Sequence, residues 1–320
     1  MPTSHDGTAP VPADATGRIR LPDTPGETVL PGGEYIRERH QDGKRDMTRP
    51  PLPEPLAVPI YDNHTHLEIK DGEHFSYADA LDAAERAGVA GVIQVGGDVE
   101  SSEWSAALAA QDPRVLAAVA IHPNEAPGYA DAGTLFDALA TIDQLAEQPR
   151  VRAVGETGLD FFRTGDDGRR AQFESFEAHI DIAKRHGIAL QIHDRDAHDE
   201  VVETLLRVGA PETTVFHCFS GDAALARVAA EHGWYLSFAG TVTFGNAKNL
   251  HAALEVADRS RILVETDAPF LTPAPYRGRP NSPYMTPYTV RFMAEQLGVD
   301  ADELAAETVE NTLRAYGSWD

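Results

Sequence analysis

Short apolar runs alternate with amphipathic stretches along this chain from about residue 58 to its end. The apolar runs are "AVPIYDNH", "VAGVIQVGG", "VLAAVAIHP", "VRAVGETGL", "IALQIHDR", "TTVFHCFSG", "WYLSFAG" and "RILVETDAP". They are rich in Val, Ile and Ala, and each predicts a strand. The stretches between them, such as "YADALDAAERAG" and "QFESFEAHIDIAKRHG", predict helices. In the second of these, Phe173, Phe176, Ile180 and Ala183 recur at helical spacing and form its expected buried face. Gly187, directly after "KRH", is the expected stop. Eight strands alternating with helices predict a parallel (β/α)8 TIM barrel. An open doubly wound sheet is the alternative. No G-x-G-x-x-G follows the first strand and no G-x-x-x-x-G-K-[ST] occurs, which removes the main reasons to prefer it. The closing stretch "DELAAETVENTLRAYG" predicts a last helix covering the barrel base.

Residues 1–57 break the pattern. They contain 10 of the 22 prolines, few large apolar residues, and 7 Lys/Arg against 9 Asp/Glu. They predict a largely irregular, poorly structured extension, part of which packs on the body, ahead of a hydrolase barrel over 58–320. The chain of 320 residues is 42% hydrophobic, enough for a large core. It has no membrane-length apolar run, no leader-like N-terminus, and a single cysteine, Cys218. A soluble, cytoplasmic protein without membrane contact or disulfides is expected, and no obligate protein partner is evident. The net charge of −24 is carried almost entirely downstream of residue 57. Such a surface repels nucleic acid unless bound cations and a few placed arginines reverse the field locally.

The chemistry lies in where the polar residues fall. The first predicted strand ends in His64 and His66, the third in His122, the fourth in Glu156, the fifth in His193, the sixth in His217 and the eighth in Asp267. In a barrel these C-terminal ends converge on one mouth, where active sites are built. Residues two apart on a strand face the same side, roughly 6–7 Å apart, so His64 and His66 can close on one ion. Taken singly, each residue has an ordinary structural role open to it: a hydrogen-bonded imidazole, an ion-paired carboxylate, or, for Asp267 before Pro269, turn chemistry. Their joint occurrence at successive strand ends is what argues for a metal centre. Imidazole and carboxylate without thiolate suit Zn²⁺ or Mn²⁺, and Mg²⁺ if water completes the shell. Even six of these seven exceed what one catalytic ion takes and suit two ions sharing a carboxylate, which is hydrolytic chemistry.

Together the segments "DNHTH", "AIHP", "VGETGLDFFR", "QIHDRDA", "VFHCFSG", "VETDAPFLTP" and "PYRGRPNSP" resemble the TatD family of metal-dependent deoxyribonucleases, within the wider amidohydrolase-type barrels. The resemblance spans about residues 58–316. It implies that His64, His66 and Asp267 hold one ion, that His193 and His217 hold a second, and that Glu156 bridges both. Asp267 would also orient or deprotonate the attacking water, making Asp267 and Glu156 the catalytic pair. His122 would contact substrate or orient a ligand. Among the arginines, Arg277 is preferred for phosphate contact and Arg163 comes next, with Arg195 also near; the alternative for each is an ion pair with Asp160 or Asp194. Asn281 is either a donor at the site or loop chemistry, and Cys218 is expected to be a packed thiol. Asn63 stands where the family commonly has a small hydroxyl residue, and the N-terminal extension has no family counterpart.

Three readings follow. The first is a two-metal deoxyribonuclease trimming 3′ ends of DNA. The second is a hydrolase of the same barrel acting on another phosphodiester, an amide, a lactone or an aminoacyl ester, since ions that polarise P=O also polarise C=O. The third is a non-catalytic binding scaffold, against which the complete ligand set argues.

Overall fold

The computed structural model describes residues 36–39, 45–73 and 75–319. Eight parallel strands form one sheet in chain order: β1 (Ile60–Thr65), β2 (Val89–Val95), β3 (Val115–Val119), β4 (Val151–Asp160), β5 (Ala189–Arg195), β6 (Thr214–Phe216), β7 (Tyr235–Phe238) and β8 (Ile262–Val264). Every neighbouring pair is parallel, with Val92 opposite Val115 and Leu190 opposite Thr214 among the partners. Eight of the ten helices are α1 (Tyr77–Arg86), α2 (Val99–Gln111), α4 (Leu135–Leu145), α5 (Asp166–His186), α6 (His198–Val208), α7 (Ala223–His232), α8 (Lys248–Val256) and α9 (Thr286–Leu297). A short α3 (Ala126–Asp131) precedes α4, and α10 (Ala301–Tyr316) ends the fold. The sheet closes where Thr65 bridges Ala268 in parallel register, with the His66 amide donating to the Ala268 carbonyl (2.8 Å) and the Asp267 amide to the His64 carbonyl (2.9 Å). Closure makes this the (β/α)8 barrel that the pattern predicts rather than the open sheet.

Strand alternation separates two apolar layers. On β3, Val115, Ala117 and Val119 face the helices, whereas Leu116 and Ala118 fill the barrel. Ile93, Val95, Ala153, Ala189, Val215, Tyr235 and Leu263 complete the interior layer. That layer is sealed from below by the end of α10 and the residues after it: Tyr316 and Trp319 pack into it, and Trp319 stacks on Tyr61 at 4.2 Å. With its lower half filled by side chains, the barrel can hold a site only at its upper mouth.

On α5, Phe176, Ile180 and Ala183 are buried, Phe173 packs against them, and Gly187 ends the helix at φ +64°. A residue with a Cβ pays a steric penalty in this left-handed region, which glycine avoids. The same helix buries His179 completely. Its Nε2 accepts from the Ile121 amide (3.1 Å), and its Nδ1 lies 2.9 Å from the Thr157 hydroxyl.

Of residues 1–57, positions 1–35 and 40–44 lie outside the described residues. Arg37–Glu38 runs parallel to Ile69–Lys70. Residues 45–57 carry neither helix nor strand and lie along the barrel wall, where Tyr284 donates to the Pro50 carbonyl (2.7 Å) and Arg291 to that of Glu54 (2.6 Å).

Burial pushes the His179 imidazole down to about 4. The unfolded chain takes up this proton near 6.5 and the folded chain only near 4, so acid favours unfolding. The contribution is intact above pH 6.5 and declines as pH falls towards 4. Between pH 7.5 and 5 the loss should be about 2 kcal/mol. Urea unfolding of the wild type and of His179→Gln at both pH values checks this: the variant should lack that part of the acid slope, and identical slopes would contradict it.

Candidate metal centre

Period-two alternation carries the polar residues inward. Ala189, Val215 and Leu263 belong to the interior layer, so Gln191 and His193, then His217, then Glu265 and Asp267, follow on the same side. On β1 simple alternation does not suffice. The register slips between Asp62 and Thr65, so Tyr61 packs with the interior layer while His64 and His66 both reach the mouth. Another slip, between Val154 and Thr157, accompanies the inward placement of Glu156 on β4. Gly155 lets this strand approach β5: a Cβ there would lie 2.4 Å from the Gln191 Cβ.

The two carboxylate oxygens of Glu156 serve different groups. Oε1 lies 3.4 Å from His66 Nε2 and 3.9 Å from His64 Nε2. Oε2 lies 2.8 Å from His217 Nε2, 3.1 Å from His193 Nδ1 and 3.6 Å from His122 Nε2. Asp267 Oδ1 joins the first group, 3.5 Å from His66 Nε2 and 3.9 Å from His64 Nε2. Three sets of donor atoms are close enough to share an ion: His64, His66 and Asp267; His64, Glu156 and His217; and His122, Glu156 and His193. His64 stacks on His217 at 3.9 Å.

Neighbouring groups set the tautomers. His66 Nδ1 faces the Val95 carbonyl (3.0 Å), which can only accept, so that nitrogen carries the proton. His64 Nδ1 faces Gln191 Oε1 (3.1 Å), whose amide nitrogen is committed to Asn63 O and the Tyr316 hydroxyl. His217 Nδ1 faces Glu265 Oε1 (3.2 Å), which also accepts from the Cys218 amide (2.6 Å). All three imidazoles, when neutral, therefore turn Nε2 lone pairs towards the carboxylates and towards each other, with His64 and His66 Nε2 only 3.3 Å apart. Lone pairs and carboxylates at this spacing require positive charge among them. Burial opposes a proton on His66, yet hydrogen bonding to Asp267 and Glu156 carries it well above the ordinary imidazole value. Burial opposes it on His217 too, and Glu156 and Glu265 still push that group up to about 10. Burial lifts Glu156, but His122, His217 and His193 hold it well below the usual carboxylate range. The donor set fits divalent cations, with each imidazole nitrogen not facing them held by a protein acceptor.

His122 differs. Its Nδ1 accepts from the Asn124 amide (3.0 Å), and burial pushes the imidazole down to about 3. Near neutral pH it is uncharged and carries its proton on Nε2, facing Glu156. His193 Nε2 lies 3.2 Å from Asp160 Oδ2, and Asp160 also accepts from Asn124 Nδ2 (3.0 Å).

The arginines lie further out. Arg163 is exposed and makes no side-chain ion pair among the described residues; Asp160 accepts from its backbone amide instead (2.8 Å). Arg277 is exposed over the Phe244 ring (4.2 Å), and Arg195 stacks on Phe162 (4.0 Å). Asn281 is buried and donates to the Thr266 and Phe270 carbonyls, so it braces the loop carrying Asp267. Cys218 is half-buried, and burial raises its thiol.

Sequence reasoning did not single out Gln191, Glu265 or Asp160. Gln191 and Glu265 sit two residues before His193 and Asp267, so strand period pointed to them. Asp160 follows Glu156 by four, again an even strand spacing, and was named only as an ion-pair partner for the arginines. Asp62 was also passed over. It is fully buried and accepts from the Thr266 amide (2.8 Å) and hydroxyl (2.5 Å), and burial pushes its carboxyl up to about 8.

Comparison with known proteins gives consistent results. A family model described as "TatD related DNase" matches residues 61–317. An uncharacterized metal-dependent hydrolase, TatD, of Mycobacterium tuberculosis is 45% identical over 263 residues, covering 81% of this chain and 98% of that protein. An uncharacterized metal-dependent hydrolase of Bacillus subtilis, YabD, is 32% identical, covering 80% and 98%. The crystal structure of YjjV, a TatD homolog from Escherichia coli, superposes with a TM-score of 0.74 at 28% identity, covering 82% of this chain and 99% of that one.

If Glu265 orients His217, Glu265→Gln should weaken metal binding by roughly 10- to 100-fold while leaving every direct ligand in place. Competition with a fluorescent chelator measures this; unaltered affinity would contradict the role given to Glu265.

Proposed function

This chain belongs to the TatD related DNase family of metal-dependent hydrolases, and on that premise we propose that it is a two-metal deoxyribonuclease that trims DNA from a 3′ end. The observation that carries the reading is the division of the Glu156 carboxylate, Oε1 towards His64 and His66 and Oε2 towards His193 and His217. His64, His66 and Asp267 would hold one cation, His193 and His217 the other, and Glu156 both. Bound there, divalent cations lower the pKa of a water and stabilise charge on the attacking and leaving oxygens.

The chain's own groups do the rest. Asp267 orients the attacking water and takes its proton. Its carboxylate is held in place because its backbone is pinned to β1 through the His64 carbonyl. His122, neutral and protonated on Nε2, donates to a phosphate oxygen. Arg277 and Arg163, exposed at the mouth, grip the backbone phosphate in bidentate fashion. Gripping an end asks for few such contacts. Duplex binding relies on many Lys/Arg–phosphate contacts and suits a chain of charge −24 poorly.

The test is cleavage of end-labelled single-stranded DNA by chelator-stripped protein with Mg²⁺, Mn²⁺ or Zn²⁺ restored. Trimming should be metal-dependent, and Asp267→Asn should slow it by roughly 10²- to 10⁴-fold. Metal-loaded wild type that leaves single- and double-stranded DNA intact would overturn the nuclease reading and direct the search to other phosphodiesters, amides and esters.

A further inference from the structure

The family match begins only at residue 61, and the alignment that covers 98% of the mycobacterial relative takes in 81% of this chain. Yet a piece of the chain ahead of residue 61 reaches the mouth. The strap Arg37–Glu38 pairs with Ile69–Lys70, and the Arg39 amide donates to the Lys70 carbonyl (2.9 Å). Lys70 lies on the segment that leads away from His66. The Arg39 side chain then crosses to the loop carrying Asp267. Its Nη1 donates to the Pro269 carbonyl (3.0 Å) and to Asp71 Oδ2 (3.1 Å), and its guanidinium lies over the Phe270 ring at 4.7 Å. The same residue borders the candidate metal centre: the His66 ring meets Phe270 edge-on at 6.3 Å, and the Phe270 amide donates to the Asp267 carbonyl (2.8 Å).

We propose that Arg39 is a phosphate-contacting residue of the active-site mouth, delivered there by the N-terminal strap. Three observations support it. First, Arg39 is anchored: Asp71, whose side chain is 1% exposed, also takes a bidentate pair from Arg45 (2.7 and 2.9 Å), and Arg45 donates to the Gly278 carbonyl (2.8 Å). Second, two guanidiniums share that one carboxylate, beside the loop that carries Asp267. Third, Arg39 has donors to spare: both its bonds use Nη1, its side chain is 25% exposed, and among the described residues neither Nε nor Nη2 has a partner. A guanidinium held by one nitrogen, with its remaining edge open, suits a phosphate oxygen pair.

The inference rests on the substrate being a phosphodiester, so its test does not rely on cleavage. Binding of a phosphorothioate tetrathymidylate to metal-loaded protein is measured by calorimetry for wild type, Arg39→Ala and Arg39→Lys, alongside melting temperature and metal content. Arg39→Ala should bind roughly tenfold or more weakly with metal content and melting temperature unchanged, and Arg39→Lys should recover part of the loss. Equal affinity in wild type and Arg39→Ala overturns the proposal. A loss that comes with lower melting temperature or lost metal also overturns it, because the strap would then only brace the barrel. Wild type that binds no tetrathymidylate sinks it together with the phosphodiester reading. Arg39-dependent binding without cleavage of ordinary DNA sustains it and removes the nuclease reading alone.

Discussion

The first and last strands are held together by backbone hydrogen bonds from Asp267 to His64 and from His66 to Ala268, by the Asn63 amide on the Val264 carbonyl, and by the buried Asp62 carboxyl on Thr266. Each such bond is worth only about 1 kcal/mol net, but leaving a buried partner unmade costs roughly 1–3 kcal/mol. The seam therefore either forms as a whole or leaves several polar groups stranded. The candidate metal centre depends on it, because it sets His64 on β1 and His66 just after it beside Asp267, beyond β8. An open sheet with the same strands would leave His64 and His66 at one edge and Asp267 at the other, separated by six strands.

Within the closed barrel, placing a ligand and aiming it are separate tasks. Strand alternation, with a register slip on β1, brings the imidazoles inward. Aiming falls to Gln191, the Val95 carbonyl and Glu265, which fix the proton of His64, His66 and His217 on Nδ1 and leave Nε2 facing the centre. His122 is turned the other way by the Asn124 amide and keeps its proton on the open nitrogen. Five histidines at one mouth thus fall into different chemical classes, and a backbone amide or an acceptor two residues along a strand draws the line.

The charge pattern has the same logic. The body is strongly acidic and the mouth concentrates carboxylates, so positive charge has to come from bound cations and from arginines placed at the rim. The basic residues of the strap lie close to that rim in space although they precede the barrel in sequence. Asp71 is the link: one buried carboxylate draws both Arg39 and Arg45 down onto the loops that carry His66 and Asp267.

By itself, the order of apolar and polar positions determined the barrel, the buried face of α5, its stop at Gly187 and the set of candidate ligands at the strand ends. These follow from local rules: a period of two on strands, near 3.6 on helices, and a shared mouth for parallel strand ends. Only the tertiary structure decided the register slips that bring His64, His66 and Glu156 inward, because a slip depends on how neighbouring strands pair. It alone showed Asn281 to be a brace and His179 to be a buried acceptor, since both roles depend on partners distant in sequence. It alone brought Arg39 to the mouth, more than 200 residues from Pro269 in sequence. No periodicity within residues 1–57 encodes that contact; it arises because the loops after β1 and β8 meet only when the barrel closes.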